Sequence, residues 1–164
     1  KKVVRSLRKI VSFTENMEKQ NIKPSTKVLE KVIISEYSKY HKKLKLYPGD
    51  KILKLKRLKF GNNTPLVIDF RYISLKYFPD IYEKDFDASL YKIYDQYNIK
   101  IAHTKQYLEL AFIDEENAKL LNCKAGDFVI CIEGLLSLGN YEPIEYEENL
   151  WNGKIFRFQF EASL

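Results

Sequence analysis

Apolar residues recur along this chain at two spacings, and the change from one to the other marks out its elements. Phe156, Phe158 and Phe160 alternate with Arg157 and Gln159, the two-residue period of a strand with one buried and one wet face. Leu90, Ile93, Tyr94 and Tyr97 fall three and four apart instead, so they share one face of a helix. Read in this way the pattern predicts helices over 13–20, 36–46, 87–97 and 114–121. It predicts strands over 26–34, 51–60, 66–74, 99–110, 128–136, 141–150 and 155–160. Ser12-Phe13-Thr14-Glu15 is a capping box for the first helix, and Lys23-Pro24 stops it. Tyr47-Pro48-Gly49-Asp50 closes the second helix, and Gly61-Asn62-Asn63-Thr64 joins two strands as a hairpin.

Strands joined by hairpins, with helices inserted between them, predict an α+β fold in which helices cover an antiparallel sheet. A helix ending in Leu44-Lys45-Leu46-Tyr47-Pro48-Gly49-Asp50 before a strand recurs as Leu120-Leu121-Asn122-Cys123-Lys124-Ala125-Gly126-Asp127 before a strand. Two copies of one unit imply a duplication and a sheet with pseudo-twofold character.

A length of 164 residues with 45% hydrophobic residues suits one domain, read over 12–164, with 1–11 as a linker. The longest apolar run, 128–132, is far short of the roughly 20 residues of a membrane-spanning helix, so a cytoplasmic protein with no membrane partner is expected. Cys123 and Cys131 match no metal or redox spacing, and no metal or cofactor is expected. Charge is uneven: residues 1–60 carry 18 cations against 5 anions, and the remainder 10 against 17. The basic third reads either as a surface next to nucleic acid or as lysine-rich solvated faces.

Three places carry candidate chemistry. The capped helix start at Phe13 and Thr14 offers unpaired backbone N–H groups to an anion, although many capping boxes hold no ligand. On the strand 51–60, Arg57 shares a face with Leu53, Leu55 and Lys59, so it needs a carboxylate or phosphate partner. A three-residue loop at 62–64 would set Asp69 opposite Arg57, and a two-residue loop would throw it to the other face.

Together these landmarks resemble the UTRA domain, the effector-binding domain of HutC-branch GntR-type regulators, whose fold is similar to that of chorismate lyase. The resemblance rests on Ser12-Phe13-Thr14-Glu15-Asn16-Met17, Lys54-Leu55-Lys56-Arg57-Leu58-Lys59-Phe60 with Pro65 and Tyr72-Ile73, and Phe78-Pro79. It continues through Ser89-Leu90-Tyr91, Ala118 with Leu120-Leu121, and Pro143-Ile144 with Tyr146. It implies a small-molecule effector, most often a phosphorylated sugar, a homodimer, and operator DNA contacted through an N-terminal winged helix-turn-helix that this chain lacks. It also implies a pocket at Phe13, Thr14, Arg57, Lys59, Asp69, Ser89, Tyr91, His103, Glu145 and Trp151. Lys59 stands where the family has a second arginine, His103 where an arginine is frequent, and Trp151 where a tyrosine is usual. The family's Arg-Gly-Asp-Arg-Tyr stretch is here Asn152-Gly153-Lys154-Ile155-Phe156.

A repressor's sensor that is not an enzyme is the resulting expectation. The alternatives are a chorismate lyase-like enzyme, in which Arg57 and Glu145 would bind and protonate a substrate, and a basic nucleic-acid-binding module. A sensor gains thermal stability from a ligand it does not consume, an enzyme turns substrate over, and a nucleic-acid binder shows salt-dependent retention.

Overall fold

The structure, a computed structural model, describes residues 2–6 and 13–164. In chain order the elements are β1 (Val3–Ser6), α1 (Phe13–Glu18), β2 (Pro24–Ile34), α2 (Lys39–Lys43), β3 (Ile52–Gly61) and β4 (Thr64–Ser74). After a 3-10 turn at Ile81–Glu83 come α3 (Leu90–Asp95), β5 (His103–Phe112), α4 (Glu115–Leu120), β6 (Phe128–Ser137), β7 (Pro143–Asn152) and β8 (Phe156–Gln159). Six strands form an antiparallel sheet in the order β2-β3-β4-β7-β6-β5. This is the α+β class that the alternation predicts.

The internal echo is structural. The unit β2-α2-β3-β4 is repeated by β5-α4-β6-β7, and the two meet where β4 pairs with β7. Each helix is ended by a residue in left-handed backbone, Lys45 at φ 52° and Asn122 at φ 54°, and each following turn has a positive-φ glycine, Gly49 or Gly126. Asp50 accepts from Tyr47 N (2.8 Å) and Asp127 from Lys124 N (3.0 Å), closing the two turns identically. α2 and α3 are shorter than the spans 36–46 and 87–97.

Within residues 1–11, expected as a linker, Val3–Ser6 forms a strand: it pairs in parallel with β8, Val3 opposite Phe156, and Val3 is buried against Trp151 and Phe156. The Ser12 half of the capping box lies outside the described residues. Of the two loop lengths left open by the sequence the hairpin has the shorter: Asn62 and Asn63 both have positive φ, and Gly61 faces Thr64. The register nevertheless sets Arg57 opposite Asp69, because a bulge near Leu66 takes up the extra residue, with Lys59 facing Val67 and Phe60 facing Pro65.

The sheet is covered on both faces. On one, Leu58, Ile68 and Val129 pack with Ala118 and Leu121 around α4, while Ile52, Tyr72 and Tyr146 pack with Leu44 and Leu46 after α2. On the other, two apolar clusters stand apart. One joins Leu53, Leu55 and Ile73 to Phe78, Phe86, Leu90 and Tyr94, and the other joins Val67, Ile132 and Trp151 to Phe13, Met17 and Phe156.

Candidate functional site

Between those two clusters the same face of the sheet turns polar. Side chains two apart on a strand share a face, so Arg57 and Lys59 on β3, Asp69 and Arg71 on β4, and Glu145, Glu147, Asn149 and Trp151 on β7 all point into one cavity. The other walls are Arg5 from β1, Phe13 and Thr14 from α1, Ala88 to Tyr91 at the start of α3, and Gln106 from β5.

A chain of buried charges runs across its floor. Asp69 accepts from Arg57 Nε (2.9 Å) and Nη2 (2.6 Å) on one oxygen and from Arg71 Nε (2.7 Å) on the other. Asn149, with its amide turned to satisfy both ends, donates to the same Asp69 Oδ1 at 2.8 Å. Arg71 then reaches Glu145 (3.2 Å) and Glu147 (2.5 Å) through Nη1. Tyr94 donates to Glu145 (2.7 Å), and Gln106 donates to Glu147 (2.5 Å). Burial alone would raise the pKa of Asp69, but Arg71 and Arg57 overrule it and hold the carboxyl far below the usual range. Glu145 goes the other way, because burial pushes its pKa up more than Arg71 pulls it down.

Arg57 thus meets the carboxylate that its place in the core demands. Its Nη1 also donates to the carbonyls of Phe86 (3.2 Å) and Ala88 (3.4 Å), so its donors hold the loop leading into α3. Lys59 differs. It is half-buried, its Nζ lies 5.1 Å from the centre of the Phe13 ring, and it makes no ion pair among the described residues. Burial, with Arg57 close by, brings its pKa down to about 7. Trp151 packs edge-on against Phe156 and Phe158 with Arg5 above it at 5.6 Å, and its buried Nε1 has no hydrogen-bond partner.

Nine of the ten residues singled out in the sequence line the cavity. His103 does not: it stacks on Tyr141 with ring centres 4.0 Å apart, and as an odd-numbered residue of β5 it turns to the sheet face opposite Gln106. Arg71, Glu147, Asn149, Gln106 and Arg5 are among the lining residues that sequence reasoning missed. Arg71 and Glu147 stand two residues from Asp69 and Glu145, and that spacing is the signal that could have found them.

Gly134 holds the place across the pseudo-twofold that Arg57 holds in the first half, facing Glu147 as Arg57 faces Asp69. A Cβ there would stand 2.8 Å from Glu147 Oε1 and 3.0 Å from Gln106 Cγ. Gly134→Ala is therefore expected to push Glu147 off Arg71 and to destabilise the fold by about 1–3 kcal/mol, read as a lower denaturant midpoint with an unchanged slope.

The cavity measures about 40 Å³, room for a water or two and not for a metabolite. Among the described residues no group of side chains could hold a metal ion. The groups gathered there are cations, carboxylates and amides, all able to hydrogen-bond a polar molecule.

A family model described as the UTRA domain matches residues 19–157. The HTH-type transcriptional repressor NagR of Bacillus subtilis (strain 168) is 25% identical over 158 residues, which cover 96% of this chain and 65% of that protein. A probable fructoselysine utilization operon transcriptional repressor of Shigella flexneri is 24% identical over 149 residues, 90% of this chain and 61% of the relative. The chain therefore spans less than two thirds of the length of these curated relatives. In fold it is similar to the effector domain of PhnF from Mycobacterium smegmatis, with a TM-score of 0.92, 18% identity, and coverage of 99% of this chain and 100% of that one.

Proposed function

This chain belongs to the UTRA domain family, the effector-binding domains of GntR-type transcription regulators, and from that premise we propose that it senses a phosphorylated sugar and acts on operator DNA through a separate N-terminal winged helix-turn-helix. The observation that carries the reading is Lys59, a cation in the cavity wall with no ion-pair partner among the described residues, next to Thr14 and the start of α1. The phosphate docks there. Because α1 has only six residues, it contributes the Thr14 backbone N–H and hydroxyl rather than a large macrodipole. Glu145, Asn149, Ser89 and the Trp151 N–H meet the hydroxyls, while Arg57 and Asp69 hold the floor rigid. The name of the fructoselysine repressor is in keeping with a sugar-derived effector.

The small cavity means that the ligand must displace part of the wall. Arg5 on β1 and Phe13 on α1 are the parts nearest the N-terminal side of the chain, so their movement would carry the signal toward the DNA-binding domain of a homodimer. Catalysis has no place in this reading: the ligand is bound and released unchanged. Thermal shift against sugar phosphates, free sugars, amino-acid catabolites and fatty acids tests it. A silent response to every sugar phosphate would sink it.

The titration of Lys59 supplies a sharper expectation. An anion raises the depressed pKa of this amine, so binding above pH 7 takes up a proton, and affinity falls as pH rises past about 7. Calorimetry of a sugar phosphate in two buffers of different ionisation enthalpy at pH 8 is expected to show that uptake. Equal heats in the two buffers would exclude it.

A further inference from the structure

The cavity has a larger neighbour. On the far side of Thr14, Ser89 and Tyr91, which line both spaces, a groove of about 610 Å³ runs between α1 and α3. Its apolar wall is Ile99 and Ile101, in the segment after α3. Sites for small molecules measure about 300–1,000 Å³, so the groove is of that size and the cavity, at about 40 Å³, is not. The partition between them consists of three side chains that each end in a hydroxyl, an uncharged group that both donates and accepts. Ser89 immediately precedes α3, yet its hydroxyl makes no capping bond there, which leaves it for a ligand.

Charge decides what can lie at that partition. The side chains around the cavity include four cations, Arg5, Arg57, Lys59 and Arg71, and three carboxylates, Asp69, Glu145 and Glu147. Arg57 and Arg71 are bound to those carboxylates, and Arg5 lies over the Trp151 ring, so the single positive charge in excess falls to Lys59. A phosphomonoester brings nearly two negative charges at neutral pH. A phosphodiester has one acidic oxygen and brings one charge, which this wall matches. The second ester bond also gives the phosphate a substituent on each side, as a phosphate set between two spaces requires.

We infer that the effector is a phosphodiester: its phosphate lies at the Thr14, Ser89 and Tyr91 partition beside Lys59, its sugar lies on the cavity side toward Glu145 and Trp151, and its second alcohol lies in the groove between α1 and α3. The inference rests on the sugar-phosphate reading above and narrows its ligand class. Around the groove Glu15, Glu18 and Asp95 stand against Lys92 and Lys100, one negative charge in excess. Together with the wall of Ile99 and Ile101, that excess favours a short alkyl alcohol ending in an ammonium group.

The test is titration calorimetry of this chain at pH 7, with glucose 6-phosphate and fructose 6-phosphate each compared with its ethanolamine diester. On at least one of the two sugars the diester is expected to bind about tenfold or more tightly than the monoester. Two variants report whether the groove supplies that gain. Ile101→Trp narrows the groove, and Asp95→Lys reverses a charge at an exposed position, so the second remains informative if the bulkier side chain disturbs the packing around Ile101. Each is expected to bring the two affinities to within about twofold of one another. Diesters that bind no better than their monoesters overturn the inference and leave a monoester sensor standing. A diester whose advantage survives both variants overturns it as well, because its second alcohol then lies outside the groove. Silence toward monoesters and diesters alike removes the inference together with the reading it rests on.

Discussion

Asp69→Ala is expected to lower the thermal midpoint by on the order of 10 °C, the largest single loss of stability in this domain. Asp69 is 1% exposed and is the acceptor that both Arg57 and Arg71 share. Removing it leaves two buried guanidinium groups facing each other, and breaking a buried pair in this way costs about 3–5 kcal/mol. For a domain of this length each kcal/mol shifts the midpoint by roughly 2–4 °C. Asp69→Asn keeps the shape and should fall between. The sign with pH is also set. Because the folded-state pKa is depressed, the Asp69 contribution is present in full above the unfolded value of about 4 and fades as pH falls below it toward the folded value. The alanine variant should lose that portion of the acid sensitivity. A variant as stable as the parent at neutral pH would mean that the arginines find other partners and that the floor of the cavity is not the rigid unit described above.

Lys59→Met is expected to do the reverse, leaving the fold intact and removing binding. With no carboxylate partner among the described residues, Lys59 contributes little to stability and carries a desolvation cost. Its folded-state pKa of about 7 lies below the unfolded value, so between pH 7 and about 10 the unfolded chain holds the proton that the folded chain has released. Stability therefore rises with pH across that window in the parent, and the rise is expected to vanish in Lys59→Met. Affinity for a sugar phosphate should drop roughly ten- to a hundredfold, the worth of one charge-assisted hydrogen bond. Titration calorimetry on both proteins decides the matter: unchanged affinity would move the phosphate elsewhere and make Lys59 a bystander. Arg57→Ala is the poorer probe of binding, because it also frees the loop at Phe86 and Ala88 and strands Asp69.

The charges in the first third of the chain illustrate how far composition reaches. Lys43 pairs with Glu133 at 3.1 Å and Lys56 with Glu116 at 3.6 Å, so part of the basic excess is matched by the acidic remainder once the halves of the sheet come together. Summed charge along a sequence is silent about such pairing. The hairpin shows the same limit in another form. Gly61-Asn62-Asn63-Thr64 is legible as a turn because asparagine tolerates left-handed backbone, yet the choice of face for Asp69 turned on a bulge near Leu66 that no local signal announces. His103 was misplaced for a related reason, since parity along β5 is fixed by its pairing with β6 and not by the residues around it.

By itself the sequence determined the order of the elements from α1 to β8, the duplicated unit, the α+β class and the need of Arg57 for an acidic partner. These follow from the period of apolar residues and from the cost of burying an unpaired charge, both of which are local. The tertiary structure alone decided that β1 folds onto β8, that Arg71 and Glu147 join Asp69 and Glu145 in one network, and that Lys59 is left without an ion-pair partner among the described residues. Those outcomes depend on which strands become neighbours, and in what register, across a sheet whose two central strands are separated by about seventy residues of chain.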